Sequence, residues 1–112
     1  MRAAILALLF ALATSTFARA ALADHRTEAI AKATLKKAEN DYLSMNYGSG
    51  AAHIERAMKA CGTTRCSPAT RAALFRDLAT MQFRKGDKDQ AARDWVEAVK
   101  LQPDIGLNPA YD

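Results

Sequence analysis

The chain has 112 residues, of which 25% are charged, with 16 Lys and Arg against 12 Asp and Glu. That length fits one small domain, which buries a modest core and often leans on a cross-link or a partner. The basic excess shrinks once Arg2 and Arg19 near the N-terminus are set aside, and with it goes the case for a nucleic-acid partner.

Residues 1–23 read as a targeting segment rather than as fold. Arg2 supplies a short positive region, Ala3 to Ala13 is apolar, and Thr14, Ser15 and Thr16 follow. Two small-x-small sites come next, Ala18-Arg19-Ala20 and Ala21-Leu22-Ala23. The pattern predicts a secretory signal peptide cleaved after Ala23, with Ala20 as the alternative site. The apolar run is short of the ~20 residues of a spanning helix. A periplasmic or secreted chain starting at Asp24, with no transmembrane segment in its mature part, is expected.

Ala is abundant, Val is scarce, and alternating β-branched runs are missing, so the fold class is all-α. The first predicted helix spans Thr27 to Met45, with Ala31, Leu35, Ala38, Tyr42 and Met45 on one face. Tyr47-Gly48-Ser49-Gly50 is expected to break it, Ser49 serving as the next N-cap. The second helix spans Gly50 to Cys61, with Ile54, Ala57, Met58 and Cys61 on one face and Gly62 closing it. Ser67 caps the third helix and Pro68 sits in its first turn, where a missing N–H costs nothing. That helix runs to Lys85 with Leu74, Phe75, Leu78, Ala79, Met81 and Phe83 apolar, and Gly86 stops it. Asp87 and Gln90 form a capping-box pattern for the fourth helix. It presents Ala91, Trp95, Ala98 and Val99, and ends near Leu101, before Pro103. Residues 104–112 form an irregular C-terminal tail.

Sliding the chain on itself by 41 residues aligns two halves. Ala31 meets Ala72, Ala38 meets Ala79, Tyr42 meets Phe83, Ala51 meets Ala92, Ile54 meets Trp95, Ala57 meets Ala98, and Met58 meets Val99. Each half is one helical hairpin. Its small positions allow close helix approach and its large ones fill the space between.

The second half, AALFRDLATMQFRKGDKDQAARDWVEAVKLQP, resembles a tetratricopeptide repeat. Phe75, Leu78, Ala79, Gly86, Ala91, Trp95, Ala98 and Pro103 stand where that family's pattern has its large, small and punctuating residues. The usual Tyr of the first helix is displaced, with Gln82 in its place and Phe83 beside it. The first half is a degenerate copy that keeps Ala38, Tyr42, Ile54 and Ala57. Lys37 takes the place of the family's Leu, Met45 that of the turn Gly and Gly50 that of a small Ala. The period also exceeds the family's roughly 34 residues, the excess falling between Gly62 and Arg71. The resemblance implies two hairpins of four helices over residues 24–103, forming a short α-solenoid. Such arrays usually need three units, or caps, to bury their ends.

Cys61 and Cys66 are the only cysteines. A single C-x4-C pair lacks the four ligands of a structural zinc site, and the spacing is wrong for a C-x-x-C redox motif. In an exported chain the pair is expected as a disulfide between the repeats, two reduced thiols being the alternative. No catalytic constellation stands out: Asp87, Asp89 and Asp94 read as a cap and a solvated helix face. His53 follows Ser49 by one turn without an orienting acid in the sequence nearby, and reads as a surface residue. Met45, Met58 and Met81 read as core filler. No metal or cofactor is expected.

By the resemblance, the first helix of each hairpin lines a concave groove. Lys32, Lys36 and Glu39 from the first hairpin, with Arg76, Asp77, Thr80 and Arg84 from the second, are then the partner-facing polar residues. Lys32, Lys36 and Arg76 suit a carboxylate or an acidic segment; a solvated face is the plain alternative. The expected function is an exported protein–protein interaction module, a scaffold or assembly factor at the cell envelope that binds a protein or peptide without catalysis. Two other readings stand beside it: a disulfide-stapled docking domain at the N-terminus of a larger exported protein, and a small hydrolase subunit using His53.

Overall fold

A computed structural model describes residues 24–111; the predicted signal peptide, residues 1–23, and Asp112 lie outside the described residues. The described residues are all-helical, with four helices and no strand. Helix α1 covers residues 24–43, α2 is Tyr47–Cys61, α3 is Pro68–Lys85 and α4 is Lys88–Leu101. None of them is long and apolar enough to cross a membrane. α1 and α2 form one hairpin, α3 and α4 a second, and α3 lies against the first hairpin to make a short solenoid.

The two hairpin turns are copies of one another, in the register the sequence proposed. Gly86 has φ 94° and its N–H donates to Phe83 O, while Asp87 N–H reaches Gln82 O at 2.9 Å. Forty-one residues earlier Met45 has φ 62°, its N–H donates to Tyr42 O, and Asn46 N–H reaches Asp41 O at 2.8 Å. Both are Schellman closures, in which the left-handed residue returns the chain for the next helix. The predicted first break therefore moves. Helix α1 ends at residue 43 instead of Met45, the break is Ser44-Met45-Asn46, and Gly48, Ser49 and Gly50 lie inside α2. Ser49 is not the N-cap. That position is Asn46, whose side chain makes no capping bond. Met45 is not core filler either, since it is 76% exposed at the turn. Left-handed backbone is strained for a residue with a Cβ, so Met45→Gly should raise stability by up to about 1 kcal/mol. Urea denaturation measures this directly.

Gly50 is small for a tertiary reason. A Cβ there would fall 2.6 Å from the Met81 methyl and 3.2 Å from Asp41 Cβ, so its absence lets α3 seat closely on the first hairpin. The core at this junction holds Ile54, Leu74, Met81 and Cys61, all fully buried, together with Ala31, Ala38 and Tyr42.

The join between hairpins is tied twice. Cys61 at the end of α2 and Cys66 before α3 form the expected disulfide, with Cα atoms 5.1 Å apart. Ser67 caps α3 as predicted, accepting from Thr70 N–H at 3.2 Å. The reciprocal bond of a capping box comes from another helix: Glu28 of α1 accepts from Ser67 N–H and Ser67 Oγ at 2.9 Å each, and from Thr70 Oγ1. Burial alone would push the Glu28 carboxyl up, but the hydroxyl and amide donors, with Lys32 nearby, hold it below its ordinary value. A lowered acid adds stability above its unfolded pKa and loses it as pH falls through the folded one. Glu28→Ala should therefore cost about 1–2 kcal/mol at pH 7. The gap between variant and parent should close in acid below the ordinary carboxylate range, as followed by thermal melts across pH.

Candidate partner-binding groove

The tail is irregular in backbone but not loose. After α4 it turns at Gln102–Ile105 and runs back across α3 to α1. Asn108 is 7% exposed; its Nδ2 donates to Asp77 Oδ2 at 3.2 Å and to Glu39 Oε1 at 3.4 Å, and its Oδ1 accepts from Ala110 N–H. Tyr111 stacks on Tyr42, ring centroids 4.4 Å apart. One amide and one aromatic ring thus fix the tail to both first helices.

That docking changes what the predicted partner residues do. Asp77 is fully buried between Asn108 and Arg76, whose Nε lies 2.8 Å from its Oδ1. Arg76 is turned to Asp77, Glu39 is held by Asn108 and by Lys36 at 3.3 Å, and Thr80 Oγ1 donates to Arg76 O. Lys32 and Lys36 remain largely exposed on α1, Lys32 lying 3.9 Å from Glu28. The structure brings Glu39 and Arg76 together around the Asp77–Asn108 contact and leaves Lys32 and Lys36 along the outside.

Burial pushes the Asp77 carboxyl above its ordinary value, against the opposing pull of Arg76 and Asn108, with Glu39 adding to the rise. The unfolded chain then releases this proton at lower pH than the native protein does. Stability from this group is greatest in acid and falls as pH climbs from about 4 through the raised value. Asp77→Asn should remove that slope, so the parent should lose stability relative to the variant as pH rises above about 4, the ordinary carboxylate value. Paired urea titrations read the difference.

Beside the docked tail lies a groove of about 620 Å³, lined chiefly by Tyr42, Thr80, Phe83, Ala92, Trp95 and Leu107. α3 and α4 form its floor, and the tail contributes Leu107 and Tyr111 to one wall. Phe83 is 56% exposed and Leu107 69%, so large apolar surface faces solvent here. Two cations border it. Lys88 Nζ lies 5.9 Å from the Phe83 ring centre, and the Arg84 guanidinium is 5.5 Å from that of Tyr42, with Arg84 Nε donating to the Tyr42 hydroxyl. Thr80 and Arg84, expected to face a groove, both line this one, whereas Phe83 was read only as an apolar residue of α3 and the wall supplied by the tail was not foreseen.

Two further expectations are corrected by packing. Asp94 is 5% exposed rather than part of a solvated face; Gln90 Nε2 donates to its Oδ1 at 3.0 Å, and burial raises its carboxyl. Gln90 therefore supplies only half of the capping box, through its backbone N–H on Asp87. His53 does have an acid beside it: Nδ1 lies 2.9 Å from Asp41 Oδ2, the pair bridging α1 and α2. No protein-family model matches the sequence, no curated protein matches it, and no solved structure matches the fold.

Proposed function

We propose that this chain is an exported module of the tetratricopeptide-repeat type that binds another protein and performs no chemistry of its own. The observation that carries this reading is the groove between α3, α4 and the tail, where Phe83, Trp95 and Leu107 offer apolar surface beside Lys88 and Arg84. Grooves with an apolar floor and a few polar groups at the rim are where binding is concentrated, and exposed aromatic anchors dominate interface energies. The export half of the proposal rests on the N-terminal pattern and on a disulfide that suits an oxidising compartment.

Both halves can be tested in cells. A photo-crosslinking residue at Ala92, in the groove, should yield one discrete adduct. The same group at Ala52, exposed on α2 away from the groove, should yield none. Adducts of equal pattern from both positions would sink the binding reading. The mass of the protein recovered from the envelope should correspond to a chain starting at Asp24 or Ala21, and a full-length mass would remove export by cleavage.

A further inference from the structure

The repeat register identifies what the groove is built to hold. In the first hairpin Ala38, Tyr42, Gly50, Ala51 and Ile54 form a seat, and all five are buried. The helix that covers this seat is α3, with Tyr111 of the tail stacked on Tyr42: Met81 lies on Gly50, Gln82 Nε2 donates to Glu55 Oε1 at 3.2 Å, and Arg84 reaches Tyr42. Moved on by 41 residues, the seat becomes Ala79, Phe83, Ala91, Ala92 and Trp95. Every one of these lines the groove, and Phe83 and Ala92 are exposed where Tyr42 and Ala51 are buried. The copy of Glu55 is Val96, 51% exposed on the same end. The groove thus continues the α3 interface one period further.

We infer that this open seat receives an amphipathic helix of a partner protein, docked as α3 docks on the first hairpin. The inference rests on the protein-binding role proposed above and adds the form and chemistry of what binds. The partner helix presents large apolar residues at the spacing of Leu74, Leu78 and Met81, which is i, i+4 and i+7. It carries an acidic residue at the position of Arg84. In the first seat Arg84 lies close to Tyr42 and Tyr47, and the copy of Tyr47 in the open seat is Lys88. A carboxylate there meets a cation instead of a phenol.

A second copy of this chain does not fit that description. Its α1 is the register equivalent of α3, but Leu74, Leu78 and Met81 are replaced by Ala33, Lys37 and Asn40, all exposed. Ile30 and Leu43 are exposed elsewhere on α1, but the three positions that carry the α3 contact hold one small and two polar residues, so head-to-tail stacking lacks the large apolar side chains that fill the seat.

Trp95 is the chain's single tryptophan and lines the seat, so its emission reports occupancy. The probe is an 18-residue peptide of the α3 sequence, cross-linked into a helix, with Arg84→Glu and Lys85→Glu. Added to the full chain, it should shift Trp95 emission to the blue with saturation. Affinity should fall at least tenfold when the peptide carries Leu78→Lys. It should fall by the same amount when the protein carries Ala92→Arg, a change at an exposed position that leaves the core intact. No saturable shift, or equal binding by the Leu78→Lys peptide, overturns the inference. So does a monomer–dimer equilibrium in sedimentation that Ala92→Arg abolishes, since the seat would then serve self-association. Tighter binding by an extended peptide of residues 104–111 than by the helix also overturns it, while leaving the protein-binding role standing. That role fails separately, if the Ala92 crosslinks show no specific adduct.

Discussion

Truncating Ile54 to alanine is expected to lower the unfolding free energy by about 3 kcal/mol, the largest loss foreseen for a single side chain here. Ile54 is fully buried on α2, within the core cluster that includes Ala38, Tyr42, Leu74 and Met81. Its neighbours come from α1, α2 and α3 at once, so a void at this point touches both hairpins. Residual cavities cost extra when the surroundings cannot collapse, and the disulfide restrains the adjoining helix ends from closing in. A domain of this size has a total stability of about 5 kcal/mol, so the urea midpoint should fall by more than half. Val96→Ala is the contrasting change: at 51% exposure on the open end it should move stability by less than about 0.5 kcal/mol. Equal midpoints for the two variants would mean that the core is not centred on the junction described above.

Reducing the Cys61–Cys66 bond is expected to cost about 2 kcal/mol. The two residues are five apart in sequence, so the loop they close is short and the entropy it removes from the unfolded chain is modest. The effect is large only relative to a small domain. Both cysteines are buried, at 0% and 6% exposure, and Cys61 belongs to the same core as Ile54. The helices should remain after reduction, because Ser67, Glu28 and the apolar contacts still hold α3 in place. Thermal melts with and without reductant should differ in midpoint while the low-temperature helical signal stays the same. The double variant Cys61→Ala/Cys66→Ala should reproduce the reduced midpoint, and a midpoint unmoved by reductant would remove the staple's role.

Features of local origin were legible in the sequence. Ser67-Pro68, Asp87 and the C-x4-C pair act within a turn or two of themselves, and each was found where expected. The first turn was not, because the glycines that seemed to mark it serve elsewhere: Gly50 makes room for Met81, a contact 31 residues away. A signal was present in the register, where Met45 aligns with Gly86, and the backbone follows that register despite the side chain. Asp94 was misread for want of knowing what packs over it. The groove was the least legible feature. Its floor follows from the repeat, but its tail wall depends on Asn108 finding Glu39 and Asp77, and no periodicity announces such a meeting.

The tail contact has a consequence for the order in which the molecule comes together. Asn108 and Glu39 are 69 residues apart, whereas each hairpin closes over a two- or three-residue turn. Local hairpins form early and cheaply, while distant contacts wait on loop closure. In a chain synthesised from its N-terminus, Asn108 and Tyr111 emerge only after all four helices. The helices can therefore pair before the groove has its second wall, and the same closure is the first to open when the native protein fluctuates. Amide exchange at Ala110 and Tyr111 should run ahead of exchange in α3. The groove is then assembled and lost as a step of its own, on top of helices that are already folded.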